Sequence, residues 1–346
     1  MIAAARSYIA EIWDAWDGFW FSPTSPSTLS AIRVLAGAML LYTHLVWSMD
    51  LNAFFSARGW LPAQMMTDYL RDTNDPDGPK GDSSTGVNLP PIPRQMIWSH
   101  FHWINNPALM WTIHIAALVV FFLLTIGLFS RTMALFAFLF AVSYANRITP
   151  GAYFGLDKVN CMLAMYLVVG PSGARYSVDR LWRLKRGGPT EVPPSVTANL
   201  AIRLIQVHMC IIYLFSAIGK MHGYSWMSGD ASWLSFAMTE YQSIDMTWLA
   251  RWPNLLSFMT HATVFWELSY CALIWPRLTR PWMLLIAVFI HGGIVLFLGM
   301  PTFGLVMLIG NMAFISPKAV RKVFDPIARR ISLAIVGKAS RAGGAD

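Results

Sequence analysis

The chain has 346 residues, of which 55% are hydrophobic and only 13% charged. A soluble globular chain carries about 25% charged residues, and it has no use for repeated apolar blocks of roughly 17–22 residues, the length that crosses a bilayer. Composition therefore excludes an ordinary soluble domain and points to one all-α bundle of transmembrane helices. A net charge of +8 would suggest a nucleic-acid surface on a soluble protein. Here the Lys and Arg residues cluster between apolar blocks, as the positive-inside rule describes, so the bilayer and not nucleic acid is the expected partner.

The first stretch, MIAAARSYIAEIWDAWDGFWF, carries acids and tryptophans where a signal-peptide core would be uninterrupted. It reads as an interfacial amphipathic helix. The first span is expected at 28–48, followed by a polar outer loop, 50–106, rich in Asp, Pro and Gly. Further spans are expected at 107–129, 131–148, 155–171, 198–220, 255–275, 281–299 and 302–316. A basic loop with Arg175, Arg180, Arg183, Lys185 and Arg186 separates the fourth from the fifth. A Trp-rich segment, 221–253, joins the fifth to the sixth. The tail, 317–346, places Lys318, Arg321, Lys322, Arg329 and Arg330 at a spacing that suits a helix on an anionic surface. Cys161, Cys210 and Cys271 fall inside apolar blocks, without disulfide or metal spacing, and read as packing residues.

Eight spans with both ends cytoplasmic satisfy every short loop at once. The segments at 130–131, 172–197, 276–280 and 317–346 then lie inside and hold most of the basic residues. The outer loop is acidic, with Asp50, Asp68, Asp72, Asp75, Asp77 and Asp82 against four basic residues. The expected location is the cell (inner) membrane.

Ionisable groups at bilayer depth are costly, and each asks for a reason. Lys220 lies near the outer end of the fifth span. It reads either as a lysine reaching for headgroups or as part of a cavity. Gln206, Tyr213 and Lys220 recur every seven residues and share a helix face, which favours the cavity. Glu267 is about twelve residues from the outer end of the sixth span, or roughly 18 Å at helical rise. Thr260, Thr263 and Tyr270 lie on its side of the helix. It reads either as an interhelical tether or as a reactive carboxyl with a cationic or hydrogen-bonding partner. His291, in the seventh span, reads either as a satisfied core histidine or as part of the same site. Asp157 opens the fourth span, where the helix macrodipole already accounts for an acid; Lys158 follows it. His100 and His102 form a weak HxH pair. No set of His, Cys and Glu shows metal-ligand spacing, and no phosphate loop, dinucleotide motif or nucleophile elbow is present. These polar groups converge on the outer half of the bundle, with Trp226 and Trp233 at its mouth.

Several stretches resemble the HTTM membrane domain, shared by vitamin K-dependent gamma-carboxylases and shorter bacterial proteins. They are FSPTSPSTLSAIRVLAGAMLL, LTIGLFSRTMALFAFLF, GPSGARYSVDRLW, IRLIQVHMCIIYLFSAIGKMHGYSWMSGDASW, FWELSYCALIW and FIHGGIVLFLGMPTFGLVMLIGNMAF, in family order over residues 20–320. In the carboxylases, the lysine matching Lys220 is the base that deprotonates reduced vitamin K. Oxygen then adds, a strong base forms and takes a glutamyl γ-proton, and the carbanion captures carbon dioxide. His291 matches a histidine of the family pattern. The resemblance thus implies a reduced isoprenoid quinone, of the vitamin K or menaquinol kind, as cofactor. It makes Lys220, Glu267 and His291 the candidate catalytic residues, and Tyr213, Gln206 and Trp226 the candidate cofactor-binding ones. Two departures stand against a full carboxylase: FGLDKVN replaces the family's histidine early in the fourth span, and the large soluble domain that grips the carboxylases' substrate propeptide has no counterpart here. The alternative is an accessory membrane protein for maturation or export of a peptide partner on the outer side. A transporter is the weaker expectation, because no internal repeat or matched pair of broken helices appears.

Overall fold

A computed structural model describes residues 2–62, 65, 98–147 and 154–342, with side chains described between residues 6 and 330. Most of the acidic outer loop, including Asp68, Asp72, Asp75, Asp77 and Asp82, lies outside the described residues, as does the end of the basic tail. Among the described residues the chain is helical, with one isolated antiparallel bridge between Thr24 and Ser195.

Each apolar block of the sequence forms a helix. An exposed helix α1 (Ile2–Phe21) leads to α2 (Ser27–Trp47) and the short α3 (Leu51–Phe55). Then come α4 (Pro107–Ile126), α5 (Ser130–Ala145) and α6 (Gly155–Val169). The basic α7 (Val178–Lys185) precedes the long α8 (Val196–Met221). Short helices α9 (Tyr224–Ser228) and α10 (Ala231–Ala237) lead to α11 (Pro253–Leu273), α12 (Arg280–Phe297), α13 (Pro301–Asn311) and the tail helix α14 (Pro317–Ala342).

Among the described residues four helices are long and apolar enough to cross a membrane, Ser27–Phe55, Pro107–Ile126, Val196–Met221 and Arg280–Phe297. A pair bent by 120°, Pro301–Phe314 and Pro317–Arg330, raises the number to five if it forms one span. The shortest of the expected spans fall below the ~20 residues that cross a hydrocarbon core: α6 has 15 residues and α13 has 11.

The bundle is assembled around α2, which packs against α4, α6, α13 and α14. Its small residues allow close approach: a Cβ at Gly37 would sit 3.0 Å from the Thr125 backbone. The fully buried Arg33 fastens α2 to the turn after α4. Its guanidinium donates to the carbonyls of Leu124 (2.8 Å) and Thr125 (3.2 Å), and to that of Tyr176. The Leu124 and Thr125 carbonyls belong to the last turn of α4, where no following turn of helix supplies donors; the Tyr176 carbonyl comes from the loop before α7. Gly127, in the left-handed conformation at φ 74°, makes the turn beside this guanidinium. The carboxylate of Asp179 then caps α5, accepting from the backbone of Phe129 and Ser130 and from the Ser130 hydroxyl at 2.8–2.9 Å. The basic loop is thereby locked to the bundle end.

Candidate functional site

The site lies where α8, α11 and α12 meet under the segment 221–253. Helix rise alone puts Glu267 about 21 Å from the start of α11, while Lys220 stands in the last turn of α8. The two still meet, because the first turns of α11 run past the end of α8 and pack against α9 and α10. Thr260 makes this roof fast. Its hydroxyl oxygen lies 2.9 Å from the Gly229 carbonyl and accepts from the Ser232 backbone N–H at 3.0 Å. Gly229 is left-handed, at φ 90°, with Ser257 and His261 where a Cβ would point. Trp226 is brought over the lysine by the turn at Gly223, whose N–H donates to the Lys220 carbonyl at 2.9 Å and whose carbonyl accepts from Trp226 N–H at 3.1 Å.

Lys220 Nζ is 2.7 Å from Glu267 Oε2, 2.8 Å from Oε1 and 2.6 Å from Ser216 Oγ. The Trp226 ring centroid lies 5.0 Å from the same nitrogen, within cation–π range. The lysine side chain keeps 20% of its exposure and the glutamate 9%. The pair is thus largely withdrawn from solvent, and the lysine does not extend toward headgroups. Ser216, one turn below Lys220, completes the arrangement by donating to Glu267 Oε1 at 3.3 Å.

A second buried network stands below it. Tyr213 Oη is 2.7 Å from His291 Nε2 and accepts from Asn311 Nδ2 at 2.8 Å. Tyr270 Oη donates to Asn311 Oδ1 at 2.6 Å. Tyr213, Tyr270 and Trp266 pack their rings together, with centroids 4.3–5.3 Å apart. The network therefore sits in an aromatic wall, with Tyr213, Tyr270 and His291 all buried.

Both networks border one cavity of about 780 Å³. Lys220, Glu267, His291, Tyr213 and Trp226 all line it, together with apolar residues of α11, α12 and α13. Phe258 and Phe289 line it as well and are 69% and 71% exposed at the outer surface of the bundle. The cavity thus opens sideways between α11 and α12, where a membrane protein faces lipid. A volume of several hundred Å³, mostly apolar with a few placed polar groups, is the usual form of a small-molecule site.

Gln206 stands apart from the other expected residues. It shares the face of α8 with Tyr213 and Lys220 but lies about 10 Å below Tyr213 along the axis. Its amide donates to the Ala313 carbonyl at 2.8 Å and accepts from Arg203 at 2.9 Å. It joins α8 to the end of α13 and does not line the cavity. Three further contributors are absent from the sequence-based expectations. Ser216 and Asn311 are small polar residues in apolar helices. His208 lines the cavity and pairs with Tyr166 at 3.0 Å. The i, i+4 spacing of Ser216 and Lys220 is the signal that would have found the first.

The other polar candidates are placed elsewhere. Asp157 caps its own helix, accepting from the Phe154 backbone at 2.8 Å, while Lys158 lines the cavity. His100, in the short 3-10 turn His100–His102 before α4, bonds through Nδ1 to Ser143. Its pKa is lowered to about 4, first by burial and then by His102 and His114. Among the described residues no group of three or more His, Cys, Asp and Glu side chains is placed to hold a metal ion. Comparison with known proteins finds no matching family model, no matching curated protein and no matching solved structure.

Proposed function

We propose that this chain is an eight-span membrane protein of the HTTM type, with both ends cytoplasmic and amphipathic helices at each end. We propose further that it is a quinol-dependent oxygenase of the carboxylase kind with Lys220 as base. The observation that carries the reading is the single cavity onto which Lys220, Glu267, His291 and Tyr213 all project. Residues from three helices, far apart in sequence, converge there without any simple packing need. The exposed Tyr8, Ile9, Ile12, Trp13 and Trp16 support an interfacial role for α1. A reporter fused after residue 190 is expected to report cytoplasm; an external signal would refute the topology.

The cavity suits a reduced quinone: flat apolar walls from Phe258, Phe297 and Phe303, a sideways opening to lipid, and hydrogen-bonding groups on one side. Lys220, Tyr213 and His291 would hold its ring oxygens. When bound, such a quinol supplies an ionisable hydroxyl and two reducing equivalents. The protein's part is proton handling. An amine acts as base only when neutral. Glu267, 2.7 Å away, is the group placed to take the ammonium proton and free the amine once a quinol is bound. After Lys220 accepts a hydroxyl proton, the face of Trp226 stabilises the ammonium. The aromatic walls exclude bulk water, so the charges that develop meet fixed partners and not solvent. Purified protein given menaquinol, oxygen and bicarbonate is expected to form quinone epoxide.

A second reading, an accessory protein for an exported peptide, is favoured by the aromatics on the outer segments. Trp60, Trp103 and Tyr224 are largely exposed there. Photocrosslinkers at 98–106 are expected to capture one peptide partner if this reading holds. Capture of none, with epoxide formed, removes it.

A further inference from the structure

Two arginines at the end of the bundle away from Lys220 carry an inference about a lipid site. Arg203 stands about 25 Å from Lys220 along α8, and Arg280 is the first residue of α12. Each has a structural task that occupies part of its guanidinium. Arg203 donates through Nε to the Phe19 carbonyl at 3.1 Å and through Nη1 to Gln206 at 2.9 Å, with its guanidinium carbon 4.2 Å from the centroid of the Phe19 ring. Arg280 donates through Nε to the Ile274 carbonyl at 3.1 Å and through Nη2 to that of Trp275 at 2.6 Å, and so caps the end of α11. The Phe19 and Trp275 rings lie edge to face, with centroids 5.5 Å apart. One aromatic pair thus links the two arginines, which are near enough to repel one another.

Each keeps one terminal nitrogen uncommitted. Arg203 Nη2 and Arg280 Nη1 have no partner among the described residues. Neither is among the buried unpartnered atoms, so both remain open to the surface. The ion pairs of the described residues, Arg175–Asp325, Lys220–Glu267 and Arg321–Asp325, include neither arginine. Both residues are half-buried, and half-buried like charges without a counter-ion are costly beside a bilayer. A neutral amide could donate to the same carbonyls, so the two full charges ask for another reason. Their open nitrogens present paired N–H donors of the kind that grips phosphate oxygens. Trp282, Leu285, Ile286 and Phe289 recur at helical spacing along α12 and are all exposed. They make an apolar track that starts beside Arg280, with Trp282 in the usual place of an interfacial tryptophan.

We infer that Arg203 and Arg280 form a binding site for the phosphate of an anionic phospholipid, whose acyl chains lie along the exposed face of α12. Basic pockets between spans at a membrane surface hold such headgroups. The headgroup neutralises the pair and fastens α8 to the turn between α11 and α12. The site does not involve Lys220 and stands whether or not the proposed reaction occurs.

Native mass spectra of the protein released from mixed micelles test this, with phosphatidylglycerol as probe and phosphatidylcholine as reference. The parent should retain one phosphatidylglycerol in preference to phosphatidylcholine. Arg203→Gln and Arg280→Gln should each cut that preference about tenfold, the factor that one charge-assisted hydrogen bond carries. Arg277→Gln, at an exposed position of the same turn, should leave it unchanged. The preference is a ratio measured on one folded protein, so lost capping alone does not move it. Where a glutamine variant does not fold, the corresponding lysine variant keeps the charge without the fork and should still lower the preference. No preference in the parent, an unchanged preference in either variant, or an equal fall in Arg277→Gln overturns the inference. So does inorganic phosphate in excess that displaces the lipid, which would assign the arginines to a soluble phosphate compound.

Discussion

Replacing Glu267 by Gln removes the charge that Lys220 faces while keeping the shape of the side chain. In the parent, Lys220 Nζ has three partners at 2.6–2.8 Å, two of them carboxylate oxygens. The variant keeps Ser216 and the Trp226 face but leaves an ammonium in a mostly buried place. Removing one partner of a buried pair costs ~3–5 kcal/mol. The residual 20% exposure of the lysine and its access to the cavity put this case at the lower end, ~3 kcal/mol. Lys220→Met should cost a similar amount, because it strands the carboxylate. The double variant should cost far less than the sum, since neither charge is then left alone. The expected coupling energy is ~3 kcal/mol, which leaves the double variant no worse than either single one. Unfolding free energies in mixed detergent micelles, measured for all four proteins, give the coupling. A value below about 0.5 kcal/mol, the level of independent sites, would refute the claim that the two groups form one protected pair.

Arg33→Met should strand the carbonyls of Leu124, Thr125 and Tyr176 and cost ~3 kcal/mol; Arg33→Lys should recover only part, since one ammonium cannot span the fork. Gly304→Ala would place a methyl 2.6 Å from the His291 carbonyl and 2.5 Å from Val295; the α12–α13 seam must open, with a loss of ~1–3 kcal/mol and weaker menadione binding. Asp325 is held below the usual carboxylate range. Burial works against this, but hydrogen bonds from Tyr176 and Arg321 and the charges of Arg175 and Arg321 outweigh it. Because the folded pKa is the lower one, the stabilisation is complete above the unfolded value of ~3.9 and is lost as pH falls through the folded value. Hydrogen-exchange protection over 317–330, relative to the intrinsic rate at each pH, should therefore fall below about pH 4, and Asp325→Asn should show the weaker protection at every pH.

The helices were legible because apolar blocks bounded by Pro, Gly and charge clusters leave few other choices. The expected 198–220 became Val196–Met221 and the expected 155–171 became Gly155–Val169, differences of one turn or less. Lys220, Glu267 and His291 were also legible, since ionisable residues in apolar stretches stand out. Their mutual distances were not. Depth counted along each helix separately placed Glu267 well below Lys220; the overhang of α11 past α8, which depends on the fold of 221–253, removes that difference. Heptad spacing grouped Gln206 with Tyr213 correctly as to face, but face alone does not give height along the axis. Asn311 carried no sequence signal, because its importance comes from Tyr213 and Tyr270, which reach it from two other helices.

The central claim is that Lys220 is a base facing a bound quinol. Epoxide formation from menaquinol and oxygen, compared between the parent protein and Lys220→Ala at equal amounts of folded protein, tests it most directly. The expected result is turnover by the parent and its loss, by at least a hundredfold, in the variant, the usual scale for removing a general base. Equal turnover by the two proteins would contradict the account.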